Sequence, residues 1–213
     1  MFLYRLRYIG VLTAVLFLLS GCGGSHIPGV NTKDYQKKGI RLVALMPVHN
    51  ETKDAAAATF LRREVLEKLY FKGYPKIPSA VIDGKLATIY KENPGPERGQ
   101  IPPGVLGELL GVDAVMYCTL ERWETSYLFV SAKTSVTAAF ELRSTTTGET
   151  LWSARESIAE RQYDFTQKRL ELKSLQVYEE IMQEIIAKAM VTLPDGPDAI
   201  RKVPREKSWW KFW

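Results

Sequence analysis

Thiols and imidazoles, the side chains most often used for nucleophilic and metal chemistry, are scarce in this chain. Among 213 residues there are two cysteines, Cys22 and Cys118, and two histidines, His26 and His49. So small a set argues against a disulfide framework, a zinc finger or a centre built from several histidines. The sequence also contains no glycine-rich phosphate loop after a predicted strand, no Gly-x-Ser-x-Gly and no His-Glu-x-x-His, so hydrolase and nucleotide-binding interpretations lack support.

Cys118 lies in the apolar run Val115-Met116-Tyr117-Cys118, where a small hydrophobic side chain packs well in a core. The alternative is a thiol hydrolase, which would require His49 to lie close to Cys118 and lower its pKa. His26 sits in a polar segment with no second ligand near it in sequence, and we expect it to be solvated. These residues predict a protein that is not an enzyme, with no metal site and no cofactor.

Cys22 has a different setting, directly after an apolar segment near the N-terminus. Arg5 and Arg7 precede apolar residues 8–19, a stretch shorter than the roughly 20 residues that a membrane-spanning helix needs. This pattern predicts a signal peptide over residues 1–21. The sequence Leu19-Ser20-Gly21-Cys22 resembles the lipobox of bacterial lipoproteins, in which the cysteine thiol accepts a diacylglyceryl group. The alternative is a buried cysteine at the end of a helix.

The lipobox resemblance implies three acyl chains on Cys22, palmitate among them. Each buried methylene contributes about 0.8 kcal/mol, so three chains exceed what stable membrane attachment requires. In enteric-type lipoproteins an aspartate after the lipidated cysteine retains the protein at the inner membrane, whereas here Gly23 follows. The sequence therefore predicts an anchor in the outer membrane at its periplasmic face, with residues 22–39 forming the lipidated cysteine and a flexible spacer.

Residues 40–193 show the alternating patterns of one α/β domain. A nearly continuous apolar run over residues 41–48 predicts a strand buried on both faces. Apolar residues spaced by three and four over 58–69 predict a helix, capped by Thr52 or Asp54 and closed at Gly73. A short strand over 74–77, a second helix over 81–89, a surface loop over 93–99 and a third helix ending at Gly111 follow.

The second half of this domain reads as strands followed by one helix. Residues 113–123 and 127–143 predict strands, and a turn over 144–149 containing Gly148 leads to a returning strand from Leu151. A long helix then places Leu175, Tyr178, Met182, Ile185 and Ala189 on one face and stops at Pro194. We therefore predict the α/β class, a single three-layer-type sandwich with a mixed parallel and antiparallel sheet and flanking helices.

Three motifs in this order, behind a lipobox, resemble a known lipoprotein group. They are Met46-Pro47-Val48 before Asn50-Glu51-Thr52, the segment Gly111-Val112-Asp113-Ala114-Val115, and Thr147-Gly148-Glu149-Thr150-Leu151-Trp152. The pattern resembles bacterial lipoproteins of unknown function related to the curli-secretion lipoprotein CsgG, with an architecture shared by the penicillin-binding-protein activator LpoB and the amino-terminal domain of TolB. The resemblance covers roughly residues 22–192. It implies accessory work in envelope assembly or transport through protein contacts, with no catalytic residues.

The C-terminal segment, residues 194–213, is basic and rich in tryptophan. Three of the five tryptophans fall in the last five residues, and the aromatic positions there are Trp209, Trp210, Phe212 and Trp213. Tryptophan prefers the membrane–water interface, and neighbouring cations favour anionic lipid or an acidic partner. We predict that these four residues dock on membrane or on a partner; docking on the chain's own domain and plain disorder are the alternatives.

The charge balance adds one exclusion. A formal net charge of +5 falls to +3 once residues 1–21 are removed, which is too mild to indicate nucleic-acid binding.

We predict a non-enzymatic outer-membrane lipoprotein that is a protein-binding subunit of a cell-envelope assembly, secretion or transport complex. Its expected partners are other envelope lipoproteins, periplasmic proteins or further copies of itself. The alternative is a lipoprotein regulator that docks on and activates a periplasmic peptidoglycan synthase.

Overall fold

The protein is represented by a computed structural model that describes residues 39–92 and 101–199. The strands are β1 (Val43–Leu45), β2 (His49–Asn50), β3 (Ala114–Leu128), β4 (Ser131–Ser144) and β5 (Thr150–Tyr163). The helices are α1 (Ala55–Phe71), α2 (Ser79–Glu92), α3 (Pro103–Leu110) and α4 (Gln167–Thr192). No helix in these two ranges is long and apolar enough to cross a membrane.

The five strands form one open mixed sheet in the order β1-β3-β4-β5, with β2 pairing with β3 on the same side as β1. Both β1 and β2 run parallel to β3, whereas β3, β4 and β5 are successively antiparallel. The long strands place Ala114 beside Ser144 at one end of the sheet and Leu128 beside Ser131 at the other. The predicted α/β class with a mixed sheet and flanking helices is confirmed.

Helices cover both faces of the sheet. Side chains alternate between the two faces along a strand, and in the first strand the side chains on both faces are apolar and buried. Val43 and Leu45 face the larger core, which α1 and α4 close, whereas Ala44 and Met46 face a smaller core under α2 and α3. The larger core includes Trp152, whose indole nitrogen donates to the hydroxyl of Thr192 at 3.0 Å. The continuous apolar run at the start of the domain follows from this burial on both faces.

Local signals set the ends of the helices as the sequence indicates. The Asp54 side chain caps α1 by accepting from the Ala57 amide at 3.0 Å. Gly111 ends α3 in the left-handed conformation with φ of 69°.

Arg62 of α1 joins the two helix layers around β1, because its guanidinium donates to both carboxylate oxygens of Asp83 on α2, at 2.7 and 2.8 Å.

Several of the predicted strands differ from those observed. The strand predicted over 41–48 is confined to Val43–Leu45, and a separate two-residue strand follows at His49–Asn50. Residues 74–77 do not form a strand; Tyr74 is buried in the larger core, and its hydroxyl donates to the carbonyl of Pro194 at 2.9 Å. The single strand predicted over 127–143 is interrupted by a hairpin turn at Phe129 and Val130, because β3 extends to Leu128 before the chain reverses. The turn contains no glycine or asparagine, the residues that ordinarily signal such a reversal.

Both ends of the described chain lie at the end of the sheet opposite to this hairpin turn. The amides of Arg41 and Leu42 donate to the Asp113 carboxylate at the start of β3, at 2.9 and 2.8 Å. The Asp198 amide donates to the carbonyl of Gly73, just beyond the last turn of α1. The hairpin turn therefore projects away from the points where the described chain begins and ends.

Candidate binding groove

The structure separates the two residues that a thiol hydrolase would need. Cys118 lies in the larger core with 2% of its surface exposed, and burial raises its pKa to about 12. His49 pairs in register with Thr119, the next residue along β3. Its imidazole nevertheless points to solvent, where Nε2 lies 3.8 Å from the Glu51 carboxylate. The predicted burial of Cys118 is confirmed, and its thiolate is scarce at neutral pH.

Replacing Cys118 with alanine is expected to lower the free energy of unfolding by about 1–2 kcal/mol, because a small buried side chain loses its packing contacts. Partner binding by the folded protein should remain unchanged. Denaturant titration of both proteins measures the first quantity, and capture from envelopes measures the second. Loss of binding at unchanged stability would contradict the assignment of Cys118 to the core.

Several predicted positions fall outside the described residues. These are Cys22, His26 and the aromatic residues of the C-terminal segment, Trp209, Trp210, Phe212 and Trp213. Their assigned roles therefore remain predictions. Within residues 39–92 and 101–199, no three histidine, cysteine, aspartate or glutamate side chains converge in a way that could hold a metal ion.

An open groove of about 1090 Å³ lies between the first turns of α1, the distal half of β3 and the middle of α4. Its large apolar side chains are Phe60, Trp123, Leu175 and Tyr178, and three alanines at residues 55–57 complete the apolar lining. Its charged lining consists of Lys53, Asp54, Arg63, Glu124 and Glu179. Aromatic surface with charges of both signs at its margin is the composition of a protein-binding surface.

A stacked pair of aromatic rings forms the centre of the groove. The rings of Trp123 and Tyr178 lie 4.2 Å apart between centroids, with an angle of 18° between their planes. The Trp123 indole nitrogen donates to Asp54 Oδ2 at 3.1 Å, so the carboxylate that caps α1 also holds the indole. Stacking and this hydrogen bond fix the tryptophan ring before any partner arrives, which reduces the entropy lost on binding.

The second ring of the stack is fixed by a hydroxyl on β3. Thr125 donates to the Tyr178 phenol oxygen at 2.8 Å, and the hydroxyls of Thr125 and Thr134 lie 3.0 Å apart. Burial raises the pKa of Tyr178 above its ordinary value, although the Thr125 hydrogen bond opposes that change. The phenol therefore stays neutral at physiological pH and contributes an aromatic face and a hydroxyl.

The loop before α1 places its capping carboxylate beside the stack. Asn50 Oδ1 accepts from the amide and the hydroxyl of Thr52, at 2.9 and 2.7 Å. The Asn50 side-chain amide donates to the carbonyl of Asp54 at 2.9 Å. Asn50 and Thr52 thus organise the turn, a local pattern that the sequence Asn50-Glu51-Thr52 carries.

Arg63 and the exposed Leu175 complete the margin of the groove. The Arg63 guanidinium lies 5.0 Å from the centroid of the Phe60 ring, a cation–π geometry. Leu175 on α4 is 65% exposed, although the helical spacing predicted it on the core face with Tyr178. That prediction was wrong because α4 turns this residue into the groove, and Leu170, Ser174 and Val177 are buried in its place.

The backbone beside the groove is also open. β2 pairs with β3 only at Thr119 and Leu120. Among the described residues, no strand lies beside β3 on that side from Arg122 to the hairpin turn. Every second residue of such an edge directs its amide and carbonyl outward, where an extended segment can pair with them.

Comparison with known proteins places this chain in a family. Residues 31–199 match the family described as "Putative lipoprotein GNA1162-like", and the chain belongs to that family. A relative from Neisseria meningitidis serogroup B, "Putative lipoprotein NMB1124/NMB1162", is 27% identical over 150 residues, which cover 69% of this chain and 68% of the relative. The crystal structure of lipoprotein GNA1162 from Neisseria meningitidis is 26% identical, with a TM-score of 0.50, covering 66% of this chain and 97% of that one.

The resemblance to lipoproteins predicted from the sequence is thereby confirmed. The family is the GNA1162-like one. The LpoB C-terminal domain from Escherichia coli is also similar in structure, at 13% identity and a TM-score of 0.39, covering 65% of this chain and 90% of that one. A likeness this distant carries no functional argument. The relation to CsgG stays a prediction.

Proposed function

We propose that this protein is a non-enzymatic lipoprotein, anchored at Cys22 in the outer membrane and facing the periplasm, that serves as a protein-binding subunit of an envelope assembly, secretion or transport complex. The observation that carries the proposal is the stacked pair of Trp123 and Tyr178 in an open groove. A few residues supply most of the binding energy in protein interfaces, and tryptophan and tyrosine are enriched among them.

The charges of the groove favour a polypeptide over a purely apolar ligand. Lys53 and Arg63 lie along the α1 side, and Glu124 and Glu179 lie on β3 and α4. A partner with charges of both signs can therefore be oriented across the aromatic centre, since complementary rim charges set orientation and association rate. The open edge of β3 adds main-chain donors and acceptors for an extended segment of such a partner.

Self-association has support from a second open edge. The 14-residue strand β5 lies at the end of the strand order, with no further strand beyond it in the described part of the chain. Long exposed edges template pairing with another chain unless something protects them. Further copies of this protein, or sister lipoproteins, are therefore included among the proposed partners, and analytical ultracentrifugation of the purified protein tests the first of these.

The aromatic C-terminal segment is proposed as an additional contact with membrane or partner. Deleting residues 208–213 is expected to leave the melting temperature nearly unchanged, while association with lipid or partner weakens. Three tryptophans can bury on the order of 600 Å² of apolar surface, and a small part of that energy is measurable after ordering costs. Co-sedimentation and thermal unfolding of both forms test this. A melting temperature several degrees lower with unchanged co-sedimentation would assign the segment to the domain's own core.

Photo-crosslinking in intact envelopes tests the proposed function. A crosslinking amino acid at Glu179 in the groove should give a discrete protein adduct that saturates as expression of the lipoprotein rises. The same amino acid at Glu108, an exposed position on α3 in the opposite layer, should not. Equal adducts from both positions would contradict a groove interface. An adduct with a peptidoglycan synthase would favour the regulator; an adduct with secretion or assembly components would favour the first function.

A further inference from the structure

A compact group of apolar side chains surrounds the hairpin turn between β3 and β4. We define the hairpin tip by six residues: Tyr127 and Leu128 at the end of β3, Phe129 and Val130 in the turn, Tyr163 at the end of β5 and Phe165 two residues beyond it. Phe129 and Phe165 are 95% and 97% exposed, and the other four are between 47% and 63% exposed. Ser131 pairs in register with Leu128 on one side and Tyr163 on the other, so Leu128 and Tyr163 share one face of the sheet. The Asp164 amide donates to the carbonyl of Val130 at 3.0 Å, which brings the segment containing Phe165 next to the turn. Neighbouring exposed apolar residues of this kind mark an interaction surface.

The hairpin turn contains an aromatic residue, Phe129, in a backbone conformation that such residues rarely adopt. Phe129 has φ of 48°, the one positive value at a residue other than glycine in the described ranges. Asparagine and glycine adopt this conformation with least cost, whereas a bulky aromatic residue is uncommon there. A local conflict between sequence and backbone is typical of functional positions. The ring of Phe129 is thus presented to solvent at a position that folding alone would fill differently.

Unpaired cations lie directly behind the tip. Lys133 on β4 pairs in register with Arg161 on β5, two residues from the Ser131–Tyr163 pair. Like charges opposite each other across strands repel. Neither cation takes part in an ion pair among the described residues. The adjacent Asp164 carboxylate is engaged by Lys173 at 2.9 Å. The pair of cations therefore lacks an anionic counterpart within the described structure.

We propose that the hairpin tip docks on an anionic phospholipid surface. Phe129 and Phe165 enter the boundary between headgroups and acyl chains, while Lys133 and Arg161 contact the phosphates. Exposed aromatic rings backed by cations are the combination that interfacial binding uses, and the anionic surface relieves the repulsion between the two cations. This contact is separate from the groove and does not depend on what the groove binds.

The position of the tip makes it a second attachment point. The length of β3 separates the tip from the end of the sheet where the described chain begins, about 48 Å for the 14 steps from Ala114 to Leu128 at ~3.4 Å per step. The tip thus lies at the end of the domain opposite residue 39, where the described chain begins, and would add a contact to the proposed lipid on Cys22. Together they would fix the orientation of the groove relative to the membrane.

A position-specific fluorescent label tests the proposal. The chain from residue 22 carrying Cys22→Ser receives a single new cysteine, Phe165→Cys, labelled with an environment-sensitive dye while buried Cys118 stays unreactive. On vesicles of phosphatidylethanolamine and phosphatidylglycerol, the dye emission should shift to shorter wavelength, and high salt should weaken the effect. The control Phe71→Cys is also an exposed phenylalanine, at the far end of α1, and should show no shift.

Two outcomes would overturn the proposal. One is an equal or absent shift at both labelled positions, which would leave the C-terminal segment as the source of any vesicle binding. The other is a label at residue 165 that responds to envelope proteins and not to vesicles, which would make the tip a protein-docking surface. A further variant avoids misfolding, because Phe129→Asn fits the positive φ. We expect it to fold normally and, combined with Phe165→Ser, to reduce vesicle partitioning about tenfold.

Discussion

The Cys22→Ser protein is expected to leave the membrane fraction and to appear as a folded protein in the periplasmic fraction. Without the thiol the diacylglyceryl group has no attachment site. Three acyl chains, at about 0.8 kcal/mol for each buried methylene, provide far more membrane affinity than surface contacts can supply. Fractionation of cells, followed by immunodetection in soluble and membrane fractions, measures this. Circular dichroism of the released protein checks that the domain is folded.

Two controls define this result. Cys118→Ala, the other cysteine substitution, should leave the protein in the membrane fraction. A high-salt wash separates weak electrostatic binding by the hairpin tip or the C-terminal segment from lipid anchoring, because surface electrostatics are screened by salt. A Cys22→Ser protein that still pellets after that wash would mean either that another segment anchors the chain or that residues 19–22 are not a lipobox.

Trp123→Ala is expected to weaken partner binding by about 30-fold, which corresponds to a contribution of roughly 2 kcal/mol from a central aromatic residue. The substitution removes half of the aromatic stack and leaves Asp54 without its indole donor. Titration of the purified partner, identified by crosslinking, against both proteins measures the change. Thermal unfolding of the same samples records the stability cost.

Ile158→Ala is the matched control for this substitution. Ile158 is half-buried against the same core and shares the register position Val136 with Trp123, but it lies outside the groove. Its loss should lower stability while leaving the partner's dissociation constant unchanged. If both variants weakened binding equally, the effect would reflect stability, and the groove would lose its assigned role.

The sequence predicted the features that depend on neighbouring residues. The Asp54 cap, the ends of helices at Gly73 and Gly111 and the turn at Gly148 each follow from local backbone chemistry, and all are present. The alternation of Val136, Ala138, Phe140 and Leu142 likewise identified the buried face of β4. These signals were enough for the fold class, because the apolar pattern decides which face of each element is buried.

The groove could not be predicted because it depends on distant residues. Trp123 and Tyr178 come from β3 and α4, and each alone looks like an ordinary amphipathic position. Their stack exists only because α4 crosses the distal part of the sheet. The hairpin tip was missed for another reason, since its turn uses phenylalanine and valine where the usual turn residues would have signalled a reversal. Neither surface is therefore visible in the local sequence pattern.

A charge placed in the groove tests the central claim most directly. Leu175→Glu changes an exposed residue of α4 that lines the groove, and Val81→Glu makes a similar change on α2, which packs on the opposite face of the sheet. Both positions are exposed, so neither variant should unfold. Each protein is expressed in cells, the envelopes are crosslinked, and the amount of captured partner is measured. This amount should fall at least about tenfold for Leu175→Glu and stay at the wild-type level for Val81→Glu. Equal capture by all three proteins would contradict the assignment of this groove as the partner-binding surface.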